Sequence, residues 1–436
     1  MKRINKNIFG ILLFAISISQ ISGQETKSLS LKEAVDLGLK NSKSLKIDAA
    51  KVEETTAQLV EAKNRKLPDF KMGASYLHLF SPTVDLKVNS SSSAGNLKIN
   101  NVMYGSANLA YPIYAGGRVK YGVQSAEYLV EASKLSAENN KNAMVYNISQ
   151  AYNNLFKASQ TIKVLEENLN ASKKRDETFL KLEKNGLMAR NDRLKAQLQT
   201  SNIELQLLDA NNNYNIANIN MDLMLGLPET TALAVDESYI GEFFENQPVS
   251  YYLNQAMQNR KDLQAVGYQM KAAQVGVKAA KAESLPSVAI TGGYFAADVP
   301  GFVTITNAMN VGFGIQYNLD NLWKKNSSLL KANAREKQVE ANNELLNDQI
   351  KLEINRDFQN SNLAQKKIEV YERAKEQAEE NYRITKNKFD NGLANITDLL
   401  DADAALVGAK VNLINAKADA VLANKKLLQT TGTLNQ

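Results

Sequence analysis

Asp398 and Asp401 stand three residues apart just behind the turn Asn391-Gly392-Leu393, where an apolar-periodic stretch begins. Residues three apart on a helix share one face, so the two carboxylates repel each other and attract cations. Acids at a helix start are also favoured by the helix dipole, which gives the same pair a structural use. A third acid, Asp192, stands at the same place behind an earlier turn, Asn185-Gly186-Leu187. The chemistry on offer is electrostatic, not covalent. The chain has no cysteine and a single histidine, His78, which has no clustered partners in the sequence and reads as an ordinary strand residue. It holds no nucleophile–base constellation, no metal-ligand cluster, and no glycine-rich phosphate loop followed by Lys-Ser or Lys-Thr. Catalytic, metal-binding and cofactor-binding residues are therefore not expected, nor is enzyme activity.

The acids ride on a predicted helix with Asn395 or Thr397 as N-cap. Its small and apolar residues fall at Leu399, Ala402, Leu406, Ala409, Leu413, Ala416, Ala420, Ala423 and Leu427. Those steps alternate three and four, a coiled-coil period, and the alanines allow close helix approach. Gly392 reads as a positive-φ turn residue ahead of it. The pattern has a precedent in the chain: Asn185, Gly186, Leu187, Asp192, Leu194 and Ala196 map onto Asn391, Gly392, Leu393, Asp398, Leu400 and Ala402 at an offset of 206. The register still holds where Gly226 meets Gly432. An ungapped match over a whole helix marks an internal duplication.

Residues 1–24 read as a secretory signal, with Lys2, Arg3 and Lys6 ahead of the apolar run Ile8–Ile18 and Gly23 near the cleavage point. The formal charge is +6, and those three basic residues leave +3 for the rest, spread over helix surfaces. No basic patch is clustered enough for nucleic acid. No later apolar run is long enough for a transmembrane helix.

In chain order, a helix is predicted from Leu31 to Lys66, ended by Leu67-Pro68. Strands follow over Pro68–Phe80 and Asn101–Tyr114, with a polar loop around Asn89–Gly95 between them. In the second strand Met103, Ala107, Leu109, Tyr111 and Ile113 share a face, with Ser106 and Asn108 on the other. A helical pattern runs from Val119 to Lys184, about 100 Å at ~1.5 Å per residue. The next helix ends at Leu225. Residues 25–227 thus form a first repeat, 228–248 a linker and 249–436 a second repeat. In the second, a helix spans Val249–Glu283, Leu285-Pro286 answers Leu67-Pro68, and strands cover Ser287–Asp298 and Thr304–Leu319. A long helix from Lys324 to Lys388 leads back to the Gly392 turn. The Leu-Pro offset, 218 from Leu67 to Leu285, exceeds 206, so the first hairpin carries the longer loop.

Two hairpins give four strands, too few to close a barrel, for which about eight is the smallest filled size. Strands with one apolar and one polar or small face, in a secreted chain without transmembrane helices, point to a membrane β-barrel shared between chains. Two chains would supply eight strands and three would supply twelve, and only the larger number leaves an open lumen. The fold class is therefore mainly α with a β membrane portion: long coiled-coil helices plus two hairpins, internally duplicated, in a trimer. The rival reading is a secreted coiled-coil structural protein or adhesin without a channel.

The two Gly-Leu-x-x-x-x-Asp turns, the Leu-Pro helix exits and Tyr111-Pro112-Ile113-Tyr114-Ala115-Gly116-Gly117-Arg118 together resemble the TolC-type outer-membrane efflux family over nearly the whole chain. The resemblance implies a homotrimer in the outer membrane of a Gram-negative bacterium. It further implies a twelve-stranded barrel continued by a twelve-helix α-barrel tunnel. A periplasmic adaptor (membrane fusion) protein and an inner-membrane pump of RND or ABC type would dock at the tip, for multidrug efflux or type I secretion. By the same resemblance Asp398 and Asp401 ring the periplasmic aperture, Asp192 helps hold the tip closed, and Gly186, Leu187, Gly392 and Leu393 form the adaptor-docking turns. Phe389 and Ala394 stand where the family often has a tip-locking tyrosine and arginine, leaving Arg190 and Arg193 as substitutes. Trp323, just after the last strand, reads as an interfacial anchor in outer-membrane lipid or as packing at the helix start.

Overall fold

Ser30 opens the helical structure with a capping box. Its hydroxyl accepts the Glu33 N–H at 3.3 Å, and the Glu33 carboxylate accepts the Ser30 N–H at 2.9 Å. The computed structural model describes residues 26–80, 82, 99–241 and 246–434. The predicted signal, the Asn89–Gly95 loop and linker residues Phe243 and Phe244 lie outside the described residues.

The elements run β1 (Thr26–Leu29), α1 (Leu31–Asn41), α2 (Lys43–Asn64), β2 (Asp69–His78), β3 (Asn101–Tyr114), α3 (Arg118–Lys184), α4 (Arg190–Leu225) and β4 (Ala232–Val235). The second repeat gives α5 (Val249–Asn259), α6 (Lys261–Ala282), β5 (Ser287–Val299), β6 (Val303–Gln316), α7 (Ser327–Asp390) and α8 (Ile396–Thr430). Strand and helix thus recur in the same order after the linker.

Three expectations need correcting. The helices predicted over 31–66 and 249–283 are each broken in two, at Ser42 and at Arg260, where ψ turns to 120°. Neither glycine nor proline marks the breaks, so apolar spacing alone carries a helix across them. The signal lies instead in the repeat: Asn41-x-Lys43-x-Leu45 returns as Asn259-x-Lys261-x-Leu263, at the Leu-Pro offset. In the first copy the break frees Asn41 to donate from Nδ2 to the Leu225 carbonyl at 2.6 Å, tying α1 to the end of α4. Second, β6 stops at Gln316, and Leu319 belongs to a short 3-10 turn. Third, α7 begins at Ser327, because the Asn326 side chain accepts the Leu329 N–H at 2.9 Å.

The chain divides into two compact units, each taking parts of both repeats. One comprises residues up to 43, 141–255 and 353 onward; the other comprises 44–140 and 256–352. The first unit is centred on Ile148, Tyr152, Leu155 and Phe156 of α3, packed with Met221 and Leu225 of α4, Leu29 of β1 and Leu233 of β4. Here the linker acquires structure, since β4 pairs in parallel with β1. Asn218 secures it, donating to the Thr231 carbonyl at 2.7 Å and accepting the Leu233 N–H at 2.9 Å. Two four-residue strands are too short to show an alternation in the sequence.

The second unit holds an antiparallel sheet in the order β2-β3-β5-β6. Its register sets Phe70 beside Leu109, Leu109 beside Gly292, and Gly292 beside Val311; a neighbouring row runs Tyr111, Ile290, Phe313. These rows make one continuous apolar face. The opposite face carries the row Lys71, Asn108, Gly293, Asn310. A Cβ at Gly293 would stand only 3.2–3.3 Å from the Ala107 carbonyl oxygen and the Asn108 and Asn310 side-chain oxygens, so the polar face is tight as well as polar. Gly116 turns β3 into α3 at φ +62°, with the Ala282 carbonyl oxygen 2.8 Å from where a Cβ would sit.

Candidate functional site

Both helical tips close in the same way. At Gly186 (φ +71°) the glycine N–H reaches the Glu183 carbonyl and the Leu187 N–H the Leu182 carbonyl, each at 2.9 Å. At Gly392 (φ +73°) the corresponding bonds run to Phe389 at 2.9 Å and Lys388 at 2.7 Å. This paired bonding is the Schellman motif, which satisfies the last carbonyls of the outgoing helix and requires a left-handed residue at glycine. Among the described residues nothing stands within 4 Å of either glycine's missing Cβ. The following leucines project into solvent, Leu187 75% and Leu393 77% exposed.

Behind the turns a small core of Phe179, Ala196, Ile396 and Leu399 joins α3, α4 and α8. Phe389 packs against it, its ring centroid 5.6 Å from that of Phe179. Phe389 thus joins the end of α7 to α3 by apolar contact. Arg193 donates from Nε to Glu183 and from a terminal nitrogen to Gln197 at 3.2 Å, which clamps α4 to α3 within one hairpin. Arg190 is exposed at the first position of α4.

Asn395 is the N-cap of α8. Its side chain accepts the Asp398 N–H at 2.9 Å, and the Asp398 carboxylate accepts the Asn395 N–H at 3.3 Å. The helix-start use of Asp398 is therefore realised, and one carboxylate oxygen remains for solvent. Asp401 is exposed one turn on. Asp192 is half-buried and pairs with Lys195 at 3.5 Å. Lys195 occupies the repeat position of Asp401, so the doubled acid of the second tip becomes an acid–base pair in the first.

The sequence reading missed the most buried charge pair near this site. Arg175 of α3 bonds Asp403 of α8 at 2.7 Å, the side chains only 11% and 9% exposed. Neighbouring Asp176 accepts the Thr200 hydroxyl of α4 at 2.7 Å. Each partner reads alone as an ordinary surface charge, and the residues lie 228 apart in the chain.

In the sheet unit, the apolar face is open to the surroundings, with Met72, Met309, Val311, Phe313 and Ile315 all well exposed. Trp323 is 67% exposed, which removes packing at the helix start as its role within the chain. His78 sits at the end of β2, Nδ1 2.7 Å from the Asn101 side-chain oxygen, with its ring edge-on to Phe80. No described helix is long and apolar enough to cross a membrane. An apolar sheet face on strands of 10–14 residues is the alternative means of crossing one.

The profile of the outer membrane efflux protein family matches residues 34–227 and 252–433. The chain belongs to this family. As an outer membrane efflux protein it is an outer-membrane channel and not an enzyme, and the rival reading as a channel-less secreted coiled coil falls away. One matched segment falls in each half of the duplicated chain. Solved structures carry the same fold at low identity. The outer membrane protein VceC from Vibrio cholerae is 21% identical, with 92% of this chain and 96% of that one covered and a TM-score of 0.75. The CmeC outer membrane channel of Campylobacter jejuni is 18% identical, with 93% and 86% covered and a TM-score of 0.77. The MtrE outer membrane channel of Neisseria gonorrhoeae, solved in its open state, is 18% identical, with 93% and 89% covered and a TM-score of 0.73. Among curated proteins none matches the sequence.

Proposed function

We propose that this efflux protein works as a homotrimer, the outer-membrane duct of a tripartite efflux or type I secretion system. The observation that carries this is the open sheet. Within the described residues β2 and β6 are paired on one side only. Unpaired backbone groups in lipid cost several kcal/mol each, so the edges must meet other strands. Three copies supply twelve strands and leave a lumen, whereas two would supply only enough for a filled barrel. The apolar face then meets lipid, Trp323 anchors at the headgroups, and the row Lys71, Asn108, Gly293, Asn310 lines the passage.

In the periplasm, exposed Leu187 and Leu393 on their rigid glycine turns are knobs for an adaptor protein, behind which stands a pump of RND or ABC type. Asp398 and Asp401, with Asp192 nearby, surround the aperture. Three-fold symmetry would gather six carboxylates from Asp398 and Asp401 about one axis, and a ring of acids favours cation passage. Arg193 is already bound within its hairpin, so exposed Arg190 is the basic residue left to reach a neighbouring copy. Planar-bilayer conductance tests this. The wild-type channel should be small, cation-selective and partly blocked by divalent cations, and Asp398→Ala/Asp401→Ala should relax selectivity and relieve block. Unchanged selectivity and block in the double variant would place these residues away from the aperture.

A further inference from the structure

The sheet changes character toward its hairpin ends. On the helix side, residues 287–295 of β5 pair in unbroken register with 308–316 of β6. That segment alone matches the ~9–11 residues a tilted strand needs to cross a membrane. Past it the register shifts: Phe295 stands opposite Ala308 but Ala297 opposite Ile305, so Thr306 and Asn307 together answer Ala296. This is a β-bulge, and Asn307 holds its extra residue in the left-handed region at φ +61°, the one non-glycine to do so among the described residues. One extra residue reverses which side chains share a face. The plain alternation Val303, Ile305, Met309, Val311, Phe313 would otherwise put all five on the apolar face. Instead Val303 pairs with Val299 and Ile305 with Ala297, on the face of Lys71, Asn108, Gly293 and Asn310. Thr304 moves to the other face, where its hydroxyl donates to the Asp298 carboxylate at 2.7 Å.

Beyond the bulge the two faces exchange polarity. The side continuous with the polar row carries Phe295, Tyr104, Ile305, Val303, Val299 and Leu77, with the Tyr104 and Phe295 ring centroids 6.4 Å apart. Val303 and Ile305 remain 39% and 38% exposed within the chain. The side continuous with the apolar rows carries Asp298, Thr304 and His78 instead. A membrane barrel has lipid outside and water inside, so strand ends that are polar outside and apolar inside are not built as its wall. Their inner side gains by being removed from water. In the trimeric duct, on which this inference rests, the same faces of the other two copies lie across the lumen. Twelve strands ~4.8 Å apart and tilted ~40° enclose a backbone circle of about 12 Å radius. The arms 296–299 and 303–306, at ~3.3 Å per residue, are each about 13 Å long, enough to reach the axis when inclined. We infer that the three β5–β6 ends bend inward at the Asn307 bulge and meet about the axis through Val303 and Ile305, narrowing the mouth of the duct at the end opposite the helical tips. Asn307 is the positioning residue, because it decides which face those side chains take.

The chain has no cysteine, so single introduced thiols report on this directly. On mild oxidation, Val303→Cys and Ile305→Cys should give disulfide-linked pairs of chains, and Asn310→Cys should not. Equivalent residues on a ring of ~12 Å radius stand about 21 Å apart, far beyond the ~7 Å Cα separation a disulfide tolerates. The Asn310→Cys thiol, deeper in the passage, also reports access from outside. A bulky membrane-impermeant maleimide added to intact cells should label it slowly. Labelling should become several-fold faster when Asn307 is deleted, which restores the plain alternation, or when Val303→Asp and Ile305→Asp are added. The aspartate pair keeps the chain length and makes the same test if the shortened strand fails to assemble. Linked chains at Val303 or Ile305 together with faster labelling support the inference. Trimers by native mass that give no linked chains, or whose labelling neither change accelerates, overturn it and leave the trimeric duct standing. A monomer by native mass overturns both.

Discussion

Asp398 joins two properties that the sequence presents as competing uses. Its carboxylate closes the capping box of α8 with Asn395, and the same carboxylate keeps an oxygen free beside exposed Asp401. The two acids therefore separate in a stability measurement. Asp398→Ala should cost roughly 0.5–1 kcal/mol, the low end for a lost capping contact, while Asp401→Ala should leave the denaturation midpoint unchanged. Equal midpoints for the two variants would deny the capping role. Asp222 offers a different test. It is fully buried near the end of α4, with Oδ2 accepting from Asn218 at 2.8 Å and Oδ1 without a partner among the described residues. Burial pushes its carboxyl up to about 6. A raised folded-state value favours the protonated form, so its contribution to stability is full below the unfolded carboxylate range of ~4 and lost as pH rises through about 6. Asp222→Asn should thus raise stability by about 1–3 kcal/mol at pH 7.5 and change it little at pH 4. Melting curves at the two pH values check this, and a gain of the same size at both would contradict the sign.

Among the elements, the tip turns and the α3–α8 pairing do the structural work around the site. Since nothing surrounds the missing Cβ of Gly392, a substitution there is penalised by backbone conformation alone. Gly392→Val should cost ~1–2 kcal/mol and weaken efflux at normal protein level, and Gly392→Asn should be milder because asparagine tolerates the left-handed region. Normal efflux in the valine variant would argue against a docking role for the turn. The Arg175–Asp403 pair behaves differently. Asp403→Ala leaves a buried guanidinium uncompensated and should cost about 3–5 kcal/mol, whereas Arg175→Met/Asp403→Leu should come close to neutral. Denaturation of the three proteins distinguishes this from an exposed pair, for which every variant would lie within ~1 kcal/mol.

For the whole molecule, family membership and the open sheet lead to one expectation about assembly. Native mass in detergent should correspond to three copies, and Asn310→Arg on the polar face should alter conductance while leaving the mass unchanged. A monomer at all concentrations would refute closure by shared strands. The low identity to VceC, CmeC and MtrE has a physical reason as well. Coiled-coil seams and lipid-facing strands specify size and polarity at a period, not particular side chains, so the fold persists while most residues change.

The period of the residues alone determined the long helices, the duplication, the four strands with their apolar face and the two glycine turns. These are local properties, repeated often enough to be read without partners. The positions of the tip acids and of Leu187 and Leu393 beside the glycines were legible too, as features of the turns. Tertiary structure decided what depends on residues far apart in the chain: Asn41 on the Leu225 carbonyl, β4 completing β1, the Arg175–Asp403 pair, and Phe389 on Phe179. Each of these arises only when folding brings a backbone edge or a polar or aromatic side chain against a partner from another element, and no spacing along the sequence encodes which partner is near.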